Sequence, residues 1–175
     1  MGLIKRIMGR KLSKIYIIGT SGSGKSFLSR KLSEKLGIQR YDLDDLYYSR
    51  KYTVERSPGK REQMLRKIAS RKKWIIEGVY GSWIESALKK ADLVILLDIH
   101  IARLAWRILM RHIGRMGVEK ETWRDAINLV KYAHRYKHGE HSSGYKSHIS
   151  LVKKHKLKYV VLKNNRQIAL FLEGI

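Results

Sequence analysis

Eight consecutive residues have the types and spacing that hold phosphate groups: Gly19, Thr20, Ser21, Gly22, Ser23, Gly24, Lys25 and Ser26. They match the Walker A pattern G-x-x-x-x-G-K-[ST], whose glycines let backbone N–H groups approach phosphate oxygens without a Cβ clash. Lys25 is expected to reach the β- and γ-phosphates, and Ser26 to bind Mg²⁺. The sequence therefore predicts a nucleoside triphosphate site, and Phe27, the next residue, is counted with it.

The segments on either side of this loop are the ones that the motif needs. An apolar run at 15–18 predicts a buried strand before it. Apolar residues then recur at helical spacing to residue 36, where Gly37 offers a C-cap. A glycine-rich turn that matches by chance is the alternative, but chance does not explain a strand and a helix at the correct flanks. The helix adds its positive N-terminal end to the phosphate site.

Acidic residues follow the other predicted strands. Alternating strands and helices predict a parallel sheet covered on both faces, a three-layer α/β/α fold. Because the carboxyl ends of parallel strands meet at one edge, where ligands bind, we expect the phosphate loop and these acids to share a site. A short predicted strand near 37–43 ends in an acidic cluster, and two other predicted strands, at 74–76 and 93–97, are each followed by one acid. The acids are Asp42, Asp44 and Asp45 in the cluster, Glu77 after 74–76, and Asp98 after 93–97.

The charge of the chain is strongly basic. Its 38 Lys and Arg against 15 Asp and Glu give a net charge of +23. Such a surface attracts polyanions, including nucleic acid, although a merely solubilising cationic surface is the alternative. The absence of cysteine excludes a disulfide framework and a thiolate zinc site. No apolar stretch approaches membrane-spanning length, so a cytoplasmic location is expected.

The length of 175 residues predicts a single domain spanning 1–175. Within it we distinguish a basic leader at 1–13, an acceptor-side helical segment at 45–72, and a lid region at 111–145. Inside the lid region, a break is expected at 114–117 between a helix that starts at Ile101 and a second helix from Thr122. The leader is interpreted as a frayed terminus, with a membrane-surface helix as the alternative.

The ordered set of motifs resembles the adenylate-kinase-like P-loop phosphotransferases, and among them the small proteins labelled topology-modulation proteins. The resemblance implies a five-stranded parallel sheet, a mobile lid, and an ATP- and Mg²⁺-dependent activity. The matching stretches are the Walker A residues, the acidic segment 42–48, the segment 74–80, and 96–98 followed by Trp106 and Arg107.

Four arginines spaced by four residues follow the predicted strand that ends at Asp98, so they share one helical face. In nucleoside-monophosphate kinases, arginines nine and thirteen residues after the corresponding aspartate contact the adenine ring and the phosphates. The resemblance therefore assigns Arg107 to adenine and Arg111 to phosphate, with Arg115 in the lid. A solvated basic face, which also includes Arg103, is the alternative.

The resemblance also suggests roles for the acids. Glu77 is expected to hold Mg²⁺ through water, where most similar proteins have Asp. Asp44 matches an acid that orients or deprotonates the acceptor in shikimate and gluconate kinases, and a helix N-cap or turn is its alternative. For Asp98 a structural role is favoured over a catalytic one.

The phosphate-clamping arginine of nucleoside-monophosphate kinases is missing, because 77–81 reads Glu-Gly-Val-Tyr-Gly. Arg50 or Arg56 is a candidate replacement. Three tyrosines nearby are candidates for stacking an acceptor base, with simple packing as the alternative: Tyr47, Tyr48 and Tyr52.

Histidines at three spaced positions suggest a further, weaker site. His134, His138 and His141 could face a metal ion from a helix and its following loop. A surface helix end, where histidine complements the helix dipole, is the preferred interpretation.

The sequence thus predicts a phosphotransferase that uses ATP and Mg²⁺ to phosphorylate a small acceptor, for example a nucleotide. Two rivals stay open. One is a nucleic-acid-binding ATPase whose nucleotide state controls the basic surface, and the other is a kinase acting on the 5′-end of a polynucleotide.

Overall fold

The structure is a computed structural model that describes residues 12–50, 53–115, 122–139 and 143–175, without the side chains of Ser82 and Arg115. Its strands are β1 (Lys14–Ile18), β2 (Arg40–Asp42), β3 (Tyr48–Arg50), β4 (Val54–Glu55), β5 (Trp74–Gly78), β6 (Leu93–Leu97) and β7 (Tyr159–Leu162). Its helices are α1 (Lys25–Leu36), α2 (Leu43–Tyr47), α3 (Pro58–Ala69), α4 (Glu85–Leu88, after a 3₁₀ turn at Ser82–Ile84), α5 (Ile101–Arg115), α6 (Trp123–His138), α7 (Tyr145–Lys154) and α8 (Asn165–Glu173).

Five strands form one parallel sheet in the order β2-β5-β1-β6-β7, which confirms the predicted α/β fold. Successive side chains of β1 enter opposite faces of the sheet. Ile15 and Ile17 pack under α1, α5, α6 and α8, while Tyr16 and Ile18 pack under α2, α3, α4 and α7. The two faces are both covered, so the strands read as continuous apolar runs rather than as alternating ones.

The helix that carries the arginines is longer than predicted. The sequence predicts a break at 114–117, but α5 continues to Arg115, because Gly114 is exposed and tolerated within the helix. Residues 116–121 lie outside the described chain. The following helix begins as predicted, since the Thr122 hydroxyl and the Asp125 carboxylate form a capping box with each other's backbone N–H. Among the described helices, none is long and apolar enough to cross a membrane.

The acceptor-side segment 45–72, in which a loop or broken helix was expected before the helix at Pro58, also contains a pair of strands. Between α2 and α3 the chain forms a two-stranded antiparallel hairpin, β3 with β4. The start of α2 packs closely on the end of β5. A Cβ built on Gly78 would lie only 2.7 Å from the Cβ of Leu43. Only glycine permits this approach, which brings the residues after β2 close to those at the end of β5.

Candidate functional site

The phosphate loop connects β1 to α1 at the carboxyl edge of the sheet. Gly22 and Gly24 have φ values of +75° and +95°, a left-handed conformation that favours glycine. No side chain caps the N-terminus of α1, so its first N–H groups face the loop. The buried hydroxyls of Thr20 and Ser23 have no hydrogen-bond partner among the described residues. Backbone and hydroxyl donors therefore surround a space suited to phosphate oxygens.

The loop is held against α5. A Cβ on Gly22 would lie 3.2 Å from the Leu104 carbonyl oxygen and 3.1 Å from Ile108 Cγ1. Arg107 adds to this contact, since its guanidinium donates to the carbonyl oxygens of Gly22 at 3.1 Å and Ser23 at 3.2 Å. The same guanidinium donates to the side-chain oxygen of Asn165 at the start of α8. Arg107 therefore ties α5, the phosphate loop and α8 together, and its contact with adenine stays a prediction.

Glu77 lies directly beneath the start of α1 and is only 1% exposed. Its carboxylate accepts hydrogen bonds from the hydroxyls of Ser26 at 3.0 Å and Ser29 at 2.7 Å, and Arg40 approaches it at 3.4 Å. A hydroxyl and a carboxylate within 3.0 Å of each other are hard oxygen donors of the kind that Mg²⁺ prefers. Ser26 and Glu77, predicted to serve the metal, thus lie together and fit that ion.

The ammonium of Lys25 donates a hydrogen bond to the Thr20 carbonyl oxygen at 3.2 Å, which holds it over the loop. Burial lowers the pKa of Lys25, and the carboxylates of Glu77, Asp44 and Asp42 oppose that effect. The positive charge of Arg111 acts in the same direction as burial. These interactions bring the predicted donor-side lysine, the acids from β2 and β5, and the α5 arginine into one electrostatic environment.

The sequence left two roles open for Asp44, an acid that acts on the acceptor and a helix N-cap, and in the structure the neighbouring Asp42 is the N-cap. The N-cap of α2 is Asp42, whose carboxylate accepts the backbone N–H of Asp44 at 2.9 Å. Asp44 instead accepts a hydrogen bond from the Tyr80 hydroxyl at 2.9 Å. Burial and the neighbouring Asp44, Glu77 and Asp45 raise the pKa of Asp42 to about 6, partly offset by that backbone hydrogen bond. The Asp44 carboxylate is therefore oriented by a side chain and not used as the cap.

A wall of aromatic rings stands beside Asp44. Tyr80 stacks on Tyr47 with 4.7 Å between ring centroids, and Trp83 lies 5.4 Å from Tyr80. The Arg61 guanidinium lies over this wall, 4.5 Å from the Tyr47 ring and 5.6 Å from the Trp83 ring. Its Nε is buried and has no hydrogen-bond partner among the described residues. Arg61 thus places a planar cation over a group of rings that includes Tyr80, the hydrogen-bond donor to Asp44.

The backbone around Tyr80 is connected to the lid region by a buried histidine. His148 of α7 is 1% exposed. Its Nε2 atom lies 2.9 Å from the Tyr80 carbonyl oxygen, and its Nδ1 atom lies 3.3 Å from the Tyr136 hydroxyl oxygen. A carbonyl only accepts, so Nε2 carries the proton and Nδ1 accepts from Tyr136. Burial lowers the pKa of His148, which keeps this neutral form. Tyr80 is therefore fixed at its main chain by His148 and at its hydroxyl by Asp44.

The two arginines predicted as replacements for the missing clamp differ in their contacts. Arg56 donates to the backbone carbonyls of Asp45, Leu46 and Tyr48, so it holds the turn after α2. Arg50 is exposed on the hairpin strand β3. The arginine that faces the site is Arg61, which the sequence analysis missed. A signal was available, since Arg61 has helical spacing with the inward-facing Met64, Leu65 and Ile68.

Several other predicted residues have clear positions. Asp98 pairs with Lys137 of α6 at 2.9 Å, in agreement with the favoured structural role. Arg111 is exposed on α5, while the side chain of Arg115 lies outside the described part.

The rings of His134 and His138 are 4.8 Å apart on exposed α6 positions. His141 and Tyr52 are not described. Within the described residues, no group of three His, Cys, Asp or Glu side chains could hold a metal ion.

Comparison with known proteins gives one relative by sequence and several by fold. The Uncharacterized protein YqaC of Bacillus subtilis (strain 168) is 34% identical over 127 residues, which cover 70% of this chain and 71% of that protein. No family model matches the chain.

The fold neighbours are small-molecule kinases. A shikimate kinase from Acinetobacter baumannii in complex with shikimate has a TM-score of 0.54 at 19% identity, covering 97% of this chain and 93% of its own. A gluconokinase from Sinorhizobium meliloti 1021 has a TM-score of 0.57 at 15% identity, and the match covers 94% of this chain and 90% of the gluconokinase chain. A shikimate kinase from Bacteroides thetaiotaomicron gives 0.52 at 15% identity, covering 93% and 95%. At these identities the likeness shows the P-loop kinase fold.

Proposed function

The chain belongs to the protein family of YqaC from Bacillus subtilis, and on this premise we propose that it is an ATP-dependent kinase for a small acceptor that carries a hydroxyl and an anionic group. One observation carries the proposal. Glu77 of β5 accepts a hydrogen bond from Ser26 of the phosphate loop at 3.0 Å, and the next residue, Gly78, packs on Leu43 beside Asp44, which supports a single site for the donor loop and this acceptor-side carboxylate. A site that only hydrolysed ATP would not need this second set of side chains.

On the donor side, the phosphate loop would bind the triphosphate through backbone N–H groups and Lys25, whose ammonium neutralises the β- and γ-phosphate oxygens. Ser26 and Glu77 would hold Mg²⁺, which when bound would supply positive charge to offset the negative charge of the phosphate oxygens. Arg111 would add a planar cation near the transferred group, where charge accumulates as the bond to the leaving group loosens. Arg107 would position the loop and the adenine.

On the acceptor side, Asp44 would take the proton of the acceptor hydroxyl as its oxygen forms a bond to the γ-phosphorus. The bond from that phosphorus to the β-phosphate oxygen breaks, and ADP leaves with the electron pair. Tyr80 would keep the carboxylate aligned through its 2.9 Å hydrogen bond. Since the acceptor oxygen must contact both the acid and the transferred phosphoryl group, the acceptor would lie between Asp44 and the loop.

The anionic group of the acceptor is inferred from Arg61. The Arg61 guanidinium lies over two aromatic rings and pairs with no carboxylate among the described residues, so it is suited to a carboxylate or phosphate of the acceptor. The names of the fold neighbours, a shikimate kinase and a gluconokinase, agree with a hydroxylated acid. A nucleotide acceptor, and the finer likeness to topology-modulation proteins, stay predictions.

The test follows γ-labelled ATP with Mg²⁺ and the full-length protein across a panel of hydroxylated acids, nucleosides, nucleoside monophosphates and a 5′-hydroxyl oligonucleotide. We expect label on a hydroxylated acid. The Lys25→Ala variant should abolish transfer while keeping the fold. A Lys31→Ala variant is the matched control, because Lys31 is exposed on the same helix and pairs only with Glu34 at 3.0 Å among the described residues.

Label released only as free phosphate, and not lost in Lys25→Ala, would contradict the proposal. Transfer to a nucleoside monophosphate alone would keep the kinase and remove the acidic acceptor. Faster phosphate release on addition of DNA or RNA would favour the nucleic-acid-binding ATPase.

A further inference from the structure

The edge of the sheet opposite the candidate site carries a concentration of lysines. Connections at 12–13, 70–73, 89–92 and 155–158 enter the amino ends of β1, β5, β6 and β7, which are neighbours in the sheet. We define the lysine row as six exposed residues in or next to these connections: Lys72, Lys73, Lys90, Lys154, Lys156 and Lys158. Three interstrand spacings separate β5 from β7, so the row extends over roughly 14 Å.

Backbone hydrogen bonds fix these connections relative to one another. Ser13 accepts from Trp74 N–H at 2.9 Å, Lys14 accepts from Asp92 N–H at 2.8 Å, and Lys158 accepts from Val94 N–H at 2.9 Å. The connections are therefore continuations of the sheet and not independent loops. The backbone beneath the row is therefore fixed, so ligand binding would have to order the lysine side chains but not the chain that carries them.

The positive charge of the row is not neutralised within the fold. Among the described residues, none of the six ammonium groups has a carboxylate or hydrogen-bond partner. The one acid in the four described connections is Asp92, and its carboxylate accepts the backbone N–H groups of Ser13 and Lys14. Lys89, by contrast, is paired with Glu85 at 3.0 Å and is left out of the row. Six unpaired cations held close together cost electrostatic free energy that a polyanion would recover.

The chemistry of the surface indicates which polyanion fits. None of the large apolar side chains exposed in the described chain lies in these connections, so the row has no group to insert into a lipid interface. None of the exposed aromatic residues lies there either, and single-stranded nucleic acid is usually held by base stacking on aromatic rings. A row of lysines alone matches the regular phosphates of a duplex. We infer that the lysine row binds the phosphate backbone of duplex nucleic acid, without sequence preference, on the face opposite the nucleotide site.

The experiment measures the fluorescence anisotropy of a labelled short DNA duplex with full-length protein, from about 50 to 200 mM salt. Lys72, Lys90, Lys154 and Lys158 are changed together to Gln. We expect the affinity to fall at least about tenfold. The plot of log K against log salt concentration, whose slope is negative, should become less steep by about 3 to 4. ATP binding should be unchanged, which also shows that the variant is folded.

A matched control changes four other exposed cations to Gln: Lys60, Arg124, Lys131 and Lys163. It removes the same charge away from the row and should alter the affinity less than twofold. Equal weakening by both variants would overturn the inference, because net charge alone would then explain the binding. So would tighter binding of the corresponding single strand, or binding to anionic phosphatidylglycerol vesicles but not to the duplex. Duplex binding that persists in Lys25→Ala would separate this inference from the fate of the proposed kinase activity.

Discussion

The donor half of the candidate site is made largely of backbone, whereas the acceptor half is made of side chains. Gly22 and Gly24 shape the loop, and its carbonyl oxygens accept from Lys25 and Arg107. On the other half, Asp44, Tyr80 and Arg61 come from three separate elements and meet only in the folded protein. Every P-loop kinase must hold the same triphosphate, so a backbone cradle can be common to them. Side chains set the acceptor, which differs from enzyme to enzyme.

The largest expected effect tests whether the acceptor half takes part in the chemistry. Asp44→Asn keeps an oxygen for the Tyr80 hydrogen bond but removes the group that accepts a proton. We expect kcat to fall by about 10²- to 10⁴-fold with ATP binding retained, measured by steady-state kinetics and by ATP titration. Asp45→Asn, at the neighbouring exposed position, is the control. A kcat within a few-fold of the parent protein would assign Asp44 to structure alone.

The next prediction separates the two halves by substrate. Arg61→Gln should raise KM for the acceptor by roughly 10- to 150-fold, the loss of a hydrogen bond to a charged group, and leave KM for ATP unchanged. Arg66→Gln on the same helix is the matched control, because Arg66 is exposed and its one ion pair with a described residue is with Glu62 at 3.5 Å. If KM for ATP rose instead, Arg61 would belong to the donor half and the acidic acceptor would lose its support.

On the donor half, Glu77→Gln should increase the Mg²⁺ concentration needed for half-maximal activity by about tenfold. The amide oxygen can accept from one of the two hydroxyls, Ser26 or Ser29, and the amide NH2 can donate to the other, but the side chain carries no charge. The measurement is a Mg²⁺ titration of turnover at saturating acceptor, with the exposed Glu34→Gln as reference. An unchanged Mg²⁺ requirement would make Glu77 a purely structural carboxylate.

The smallest effect concerns stability at the junction of the two halves. In the folded protein the pKa of Asp42 is raised from its ordinary value of 3.8 to about 6. The folded state therefore binds the carboxyl proton more tightly than the unfolded state does. The free energy of unfolding consequently falls as the pH rises from 3.8 to about 6. Asp42→Asn keeps the cap on α2 and removes this loss. Relative to the parent protein, the variant should gain on the order of 1 kcal/mol at about pH 8 and little at about pH 4. Urea unfolding at the two pH values measures the gain, and equal stability at both would contradict it.

The same division explains what the sequence could predict. The phosphate loop, its flanking strand and helix, and the parallel sheet follow from local patterns, because each is specified within a few neighbouring residues. The pairing of Glu77 with Ser26 was accessible too, since both follow strands whose carboxyl ends meet at one edge of the sheet. Arg61 was missed although its helical spacing with buried residues was a local signal, whereas His148 was missed because its partner Tyr80 is far away in sequence.

The helix boundaries show the limit of local signals. A break was expected at 114–117, yet α5 includes Gly114 and Arg115, because one exposed glycine costs a helix only about 1 kcal/mol and packing on α6 can offset it. The hairpin β3–β4 was missed for the opposite reason. Its strands span three and two residues, too short for an alternating pattern to stand out.

The contact between Gly78 and Leu43 sets a dimension of the site. Gly78 follows Glu77 on β5, and Leu43 lies between Asp42 and Asp44 at the start of α2. The missing methyl group on Gly78 therefore determines how far the metal-side carboxylate lies from the acceptor-side one. That spacing is defined by hydrocarbon packed on bare backbone, and van der Waals contact is insensitive to ionic strength and pH. The two carboxylates can thus change protonation and partners during a reaction cycle while the distance between their main-chain attachments stays constant.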